Sequence, residues 1–177
     1  MKSYGLGTVA PRNIALVLAL TGAVTTASLA APSAETTAPP TVSCTGIVLR
    51  LPSGHEGGYR VVLGTVSVPR AYLPQVDPAR NKTWPFWRKA GLNVRGGSPP
   101  VIVTVPKAWR RRVAITWGDS PIASGLRIAS CSAFLPPKVW NGYAGGFYLR
   151  SRSACAPLTF RVGRRAKTVW FGLGERC

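Results

Sequence analysis

From residue 47 onward the chain is a series of short apolar or alternating runs divided by glycine and proline. Residues 47–51 (IVLRL) and 60–63 (RVVL) are rich in leucine and β-branched side chains, with Pro52-Ser53-Gly54 and Gly57-Gly58 breaking between them. Residues 66–68 alternate and stop at Pro69. Residues 101–105 (VIVTV) lie between Pro99-Pro100 and Pro106, and residues 113–117 (VAITW) stop at Gly118-Asp119. Residues 126–131, 147–150 and 158–162 alternate as well. Many short strands between turn residues are the pattern of a sandwich or barrel. The expected fold is therefore all-β: a disulfide-stapled antiparallel β-sandwich, Ig-like or similar.

The clearest local element is at the end. Leu158, Phe160 and Val162 share one face of a run, Val169, Phe171 and Leu173 share one face of the next, and Gly163-Arg164-Arg165-Ala166 connects them, which predicts a hairpin. Helical signals are confined to two stretches, 71–73 and 84–90, each long enough for about one turn. In the second, Trp84 and Trp87 at i, i+3 would pack inward as one face of a helix lying over the sheet. Alternatively, Trp84, Phe86 and Trp87 form an aromatic platform for a sugar or lipid headgroup.

The first thirty residues follow a different pattern. Lys2 and Arg12 precede an apolar run at 14–24, which gives way to small residues at Ala27-Ser28-Leu29-Ala30-Ala31. A basic start, a short apolar core and an A-x-A-like end predict a secretory signal peptide over 1–30, cleaved after Ala30. The alternative is that residues 14–31 stay in the membrane as an anchor, a stretch near the lower length limit for a span. Residues 31–41 (APSAETTAPPT) have no large apolar side chain and read as a flexible linker. Residues 42–177 then form one β-domain, long enough for a true core.

All four cysteines, Cys44, Cys131, Cys155 and Cys177, follow the apolar segment, which suits an oxidising, extracytoplasmic compartment, with the protein secreted or tethered. Cys155 and Cys177 flank the arms of the last hairpin, so a bond between them would clamp the C-terminal strand. Four cysteines allow three pairings; the one expected here joins Cys44 to Cys131 and Cys155 to Cys177, with the other two left open by the sequence. A metal site is not expected, since there is no C-x-x-C and His55 is the single histidine. No cofactor motif is present either.

Charge narrows the choice of partner. The chain has 23 Lys and Arg against 5 Asp and Glu, a formal net charge of +18. Removing residues 1–30 takes away Lys2 and Arg12 only, leaving 21 bases against 5 acids, or +16. Such a surface is drawn to polyanions. Two clusters are the candidate site: Lys107, Trp109, Arg110, Arg111 and Arg112 between two strands, and Arg164, Arg165 and Lys167 on the hairpin. Arginine supplies forked donors and tryptophan a stacking surface. The plainer reading is that these are solvated loop tips that discourage edge pairing. An exported protein meets anionic lipid and wall polymer more than DNA, so anionic envelope components are the expected partners and no specific nucleic acid is. A membrane is met only through the N-terminal segment, if that segment is retained.

The C-terminal third carries a resemblance. Trp140-Asn141-Gly142-Tyr143-Ala144-Gly145-Gly146-Phe147, then Cys155-Ala156-Pro157-Leu158, Val162-Gly163, Phe171-Gly172 and the terminal Cys177, is similar to a group of uncharacterised exported actinobacterial proteins. The resemblance covers about the last fifty residues and implies an extracytoplasmic β-domain without an assigned activity.

Catalysis has little to draw on. His55 and Glu56 sit in the loop 52–58, and adjacent loop residues rarely converge on one ligand. Glu56, Asp77, Asp119 and Glu175 are the only acids beyond the linker, with nothing in their spacing to pair them for glycoside hydrolysis. The expectation is an exported, non-catalytic binding or structural module of the cell envelope. The alternative is a secreted hydrolase built around His55.

Overall fold

The structure is a computed structural model and describes residues 38–70, 72–132 and 139–177. The signal segment and most of the linker expected at 31–41 lie outside the described residues. The strands in chain order are β1 (Thr41–Val42), β2 (Ile47–Leu51), β3 (Tyr59–Val62), β4 (Val66–Pro69), β5 (Tyr72–Leu73), β6 (Asp77–Pro78), β7 (Phe86–Lys89), β8 (Leu92–Arg95), β9 (Val101–Thr104), β10 (Val113–Trp117), β11 (Gly125–Ile128), β12 (Trp140–Tyr143), β13 (Gly145–Leu149), β14 (Ala154–Val162) and β15 (Arg165–Leu173). Single 3-10 turns are the only helical elements among the described residues, and none is long and apolar enough to cross a membrane.

The strands form a six-stranded sheet in the order β1-β11-β9-β14-β15-β5, a four-stranded sheet β10-β13-β7-β6 and a five-stranded sheet β2-β12-β8-β4-β3. Pairing is antiparallel except at two short edges, where β1 runs parallel to β11 and β5 parallel to β15. Thr41, expected at the end of the linker, is already in register with Arg127, and the Arg127 N–H donates to the Pro40 carbonyl.

One apolar cluster draws on all three sheets: Val103, Leu126, Leu158, Phe160 and Phe171 from the first, Ile115, Trp117, Phe147 and Leu149 from the second, Val66, Leu92 and Val94 from the third. Phe147 lies between Trp117 and Phe171, with ring centroids 6.0 and 5.2 Å away. The buried Trp117 indole donates to the Ala90 carbonyl at 2.7 Å, so its polar edge is satisfied within the core. β13 runs between β10 and β7 because it begins with two glycines. A Cβ on Gly146 would meet the Arg88 carbonyl oxygen at 2.0 Å, and one on Gly145 the Thr116 carbonyl oxygen at 2.1 Å.

Two disulfides form the expected pairs, Cys44–Cys131 and Cys155–Cys177, and no described cysteine is free. Their sequence separations of 87 and 22 correspond to about 4–5 and about 3 kcal/mol of stabilisation in the chain-entropy picture. Both fit an oxidising extracytoplasmic environment.

Three local expectations need correction. Residues 86–89 are strand, not helix: β7 pairs with β13, so Trp87 leaves the sheet on the side of Tyr148, 4.8 Å between centroids, while Phe86 alternates toward the core. Sheet pairing overrides the i, i+3 spacing of Trp84 and Trp87, and the Asn81 side chain, accepting from the Thr83 and Trp84 N–H groups, turns the chain before the strand. Tyr72–Leu73 is likewise a short strand. The last hairpin is longer than expected: Arg165 pairs with Val162 and Ala166 with Arg161, leaving only Gly163-Arg164 as the connection. Gly163 takes φ 56° there, a conformation that glycine adopts freely.

Candidate functional site

Register decides which basic residues meet. In the six-stranded sheet Val162 is opposite Val101 and Thr159 opposite Thr104. The Gly163-Arg164 turn therefore lies at the start of β9, and the connection carrying Lys107 to Arg112 lies at its end. Arg164 and Arg165 are therefore at the opposite end of the sheet from Lys107 to Arg112, while Lys167, opposite Phe160 and level with Val103, lies along the sheet between them; the two sequence clusters do not form one site.

The end that carries Lys107 to Arg112 gathers other segments. Pro106 opens a 3-10 turn over Lys107–Trp109, and the Arg112 N–H donates to the Trp109 carbonyl at 2.8 Å. This curl folds the Arg112 guanidinium over the Trp109 ring, 4.7 Å from its centroid, while Arg110 Nε donates back to the Val105 carbonyl at 3.2 Å. Trp109 packs its other side into the core and meets Trp170 of β15 edge-on at 5.9 Å. Trp170 itself is 48% exposed.

Because Val113 pairs with Leu149, the residues just beyond them are neighbours, and the Arg150 N–H donates to the Arg112 carbonyl at 3.1 Å. Leu149 also pairs with Phe86, which brings Trp84 under the Arg150 guanidinium at 5.2 Å, and Arg152 lies 5.4 Å from the Phe86 ring. Ala154 pairs with Leu173, so the C-terminal segment arrives at the same end. There Arg176 lies over Tyr72 at 4.7 Å, and Ser153 Oγ donates to Glu175 at 2.6 Å. Cys155–Cys177 holds that segment in place.

The result is a basic aromatic end: exposed Lys107, Arg110, Arg111 and Arg112 from one connection, Arg150 and Arg152 from a second, Arg176 from the C-terminal segment, with Glu175 the acid beside them. A guanidinium stacked on an aromatic ring gains about 0.5–1 kcal/mol at an exposed site and keeps its N–H edge free for a planar acceptor. Chemically this suits phosphate or carboxylate groups spaced along a polymer or a lipid surface.

The other end differs. Arg164 is exposed in the two-residue turn and Arg165 donates to the Leu63 carbonyl of the β3–β4 turn at 2.9 Å, whereas Lys167, opposite Phe160, lies further along β15. No aromatic ring stacks on these three among the described residues.

Arg150, Arg152 and Arg176 were not singled out from the sequence. Each is an isolated base just past an apolar strand, and strand pairing is what collects them. A sequence signal existed in the aromatic partners, since Trp84, Phe86 and Trp109 all fall at strand starts or in connections.

His55 is exposed, and its N–H donates to Ser53 Oγ at 3.1 Å. No group of three or more His, Cys, Asp or Glu able to hold a metal occurs among the described residues. Asp119 serves the fold at the first disulfide. It accepts from the Ser43 N–H at 3.1 Å and from Ser43 Oγ at 2.5 Å, and these bonds hold its carboxyl below the usual carboxylate range. Next to it, the Tyr143 hydroxyl points at Cys131 Sγ, 3.5 Å away, with its pKa pushed up to about 12 by burial and then by the Asp119 charge.

A cavity of about 490 Å³ opens on the five-stranded sheet, away from the basic turn residues. Leu92, Val94 and Tyr143 face the core, so Asn93, Gly142 and Leu49, which alternate with them or pair across, face outward into this cavity. His55 is not among its lining residues.

No family model, curated protein or solved structure matches this chain. The arrangement of its own side chains is what points to a function.

Proposed function

We propose that this protein is an exported, non-catalytic binding module of the bacterial envelope. In this reading its β-domain is a sandwich, Ig-like or similar, and its basic aromatic end holds an anionic envelope component, either wall polymer or anionic lipid. The observation that carries the proposal is the convergence of Arg112, Arg150, Arg152 and Arg176, each on an aromatic ring, from segments far apart in sequence. Stacked guanidinium forks lose little freedom on meeting phosphate or carboxylate, so the end is prepared for such a partner before it arrives. The Cys155–Cys177 disulfide tethers the segment that carries Arg176 there and persists outside the cell.

The test is binding as a function of salt to a phosphate-bearing wall polymer, to anionic vesicles and to neutral vesicles. Affinity for an anionic surface should fall steeply with salt. Replacing Arg110, Arg111 and Arg112 together by Ala should flatten the log–log slope by about one per arginine engaged. Lowering salt fourfold would then strengthen the parent about 40-fold more than the variant. Binding that is weak and equally salt-dependent in both proteins would make the charge compositional and end the proposal. Whether polymer or vesicle binds identifies the component.

A further inference from the structure

The cavity on the five-stranded sheet is built from features that a plain sheet surface would lack. Gly142 and Gly91 let two lining side chains lie close over the backbone: a Cβ on Gly142 would run into the Leu49 side chain at 2.7 Å, and one on Gly91 into the Tyr59 hydroxyl at 2.6 Å. Glycine inside a strand, as at Gly142, marks a place where something else approaches the backbone, here Leu49 of the edge strand. The loop 52–58 bends over the same face, with the Ser67 hydroxyl donating to the Gly54 carbonyl and Gly54 pressed onto the Trp140 ring, so that Gly57 walls one side. Val48, Leu49 and Leu51 of the edge strand line the other side, and Val48 and Leu49 are 60% and 46% exposed. Two adjacent apolar side chains left in water on an edge strand cost solubility unless something covers them.

The polar groups are few and one-sided. Asn93 is buried at the floor and lines the cavity. Lys89 lines the β7–β8 end beside Tyr59. No lining residue among the described ones is acidic. An apolar trough with a positive, hydrogen-bonding end is complementary to one kind of molecule.

We propose that this cavity binds a single-chain amphiphile with an anionic head, its tail along Val48, Leu49 and Leu51 and its head at Lys89 beside Asn93 and Tyr59. The volume is in the range of small-ligand pockets, about 300–1,000 Å³. The site is separate from the basic aromatic end and stands whether or not that end binds a polyanion.

Calorimetric titration of the disulfide-intact full chain with straight-chain carboxylates of about eight to about fourteen carbons, each below its micellar concentration, tests this. Affinity should rise about fourfold per added methylene until the tail outgrows the cavity. An alkyl-trimethylammonium of equal length should bind roughly tenfold more weakly. Lys89→Gln should remove that preference for the carboxylate. Val48→Glu, at an exposed position where folding should tolerate it, should weaken carboxylate binding roughly tenfold with no change in melting temperature. The Arg110, Arg111, Arg112 triple variant should bind carboxylates like the parent, which separates this site from the polyanion surface. Equal affinity for both heads, heats independent of chain length, or unchanged binding by a folded Val48→Glu protein would overturn the proposal. So would binding to vesicles without binding to the monomeric carboxylates.

Discussion

The two ends of the six-stranded sheet carry similar sequences in different settings. At one end, Lys107 to Arg112 are joined by Arg150, Arg152 and Arg176, and the guanidinium groups of Arg112, Arg150, Arg152 and Arg176 lie on Trp109, Trp84, Phe86 and Tyr72. At the other, Arg164 and Arg165 crown a two-residue turn, and Arg165 donates to the Leu63 carbonyl. Both ends are dense in arginine. Only one combines positive charge with rigid aromatic supports and with segments brought from elsewhere in the chain. Charge density along a sequence therefore marks exposure, whereas convergence across strands is what can make a site.

The largest expected difference between the ends comes from their disulfides. Cys131 follows β11, whose Ile128 pairs with Val101, so Cys44–Cys131 belongs to the end of the hairpin turn; Cys155–Cys177 belongs to the basic aromatic end. Replacing Cys44 and Cys131 by Ser should cost about 4–5 kcal/mol in denaturant unfolding, yet leave polyanion affinity of the folded protein close to the parent's. Replacing Cys155 and Cys177 should cost less, about 3 kcal/mol. It should nevertheless weaken binding, because Glu175 and Arg176 lose their tether. The reverse pattern, with binding following Cys44–Cys131, would place the site at the wrong end.

Smaller effects sharpen the same contrast. Trp109→Ala removes a half-buried ring that supports Arg112, touches Trp170 and packs against the core, and should destabilise by about 2–3 kcal/mol. Arg165→Ala removes one exposed hydrogen bond to a carbonyl and should change stability by about 0.5 kcal/mol or less. Thermal melts of the two variants compare the ends directly. Equal shifts would mean that the aromatic support has no structural weight.

Much of this architecture was legible from alternation. The runs that became β2, β9, β10, β14 and β15 are apolar on at least one face and end at glycine or proline, and the cysteine positions beside the last hairpin pointed to the bond that forms. β7, β8 and β12 were missed. Their residues, FWRK, LNVR and WNGY, mix large, polar and glycine side chains because their non-core faces meet Tyr148, the cavity floor and the loop 52–58 instead of plain solvent. A binary pattern assumes one wet face and does not describe a strand whose second face is also occupied. For the same reason the cavity was invisible: its floor is written in Gly91 and Gly142, which in isolation read as turn residues. The basic site was half legible. Lys107 to Arg112 stood out as a run, while Arg150, Arg152 and Arg176 joined it only through the pairing of Val113 with Leu149 and of Ala154 with Leu173.

If convergence, and not total charge, makes the proposed binding end, two variants of equal charge will behave differently. One replaces Arg150 and Arg152 by Ala, the other Arg164 and Arg165. Salt-dependent binding to the anionic polymer or vesicle that retains the parent protein is then measured for both. The first variant should lose about two from the log–log salt slope and bind more weakly at every salt concentration. The second should track the parent closely. Equal losses in the two variants would show that net charge alone drives binding, and would contradict the assignment of the site.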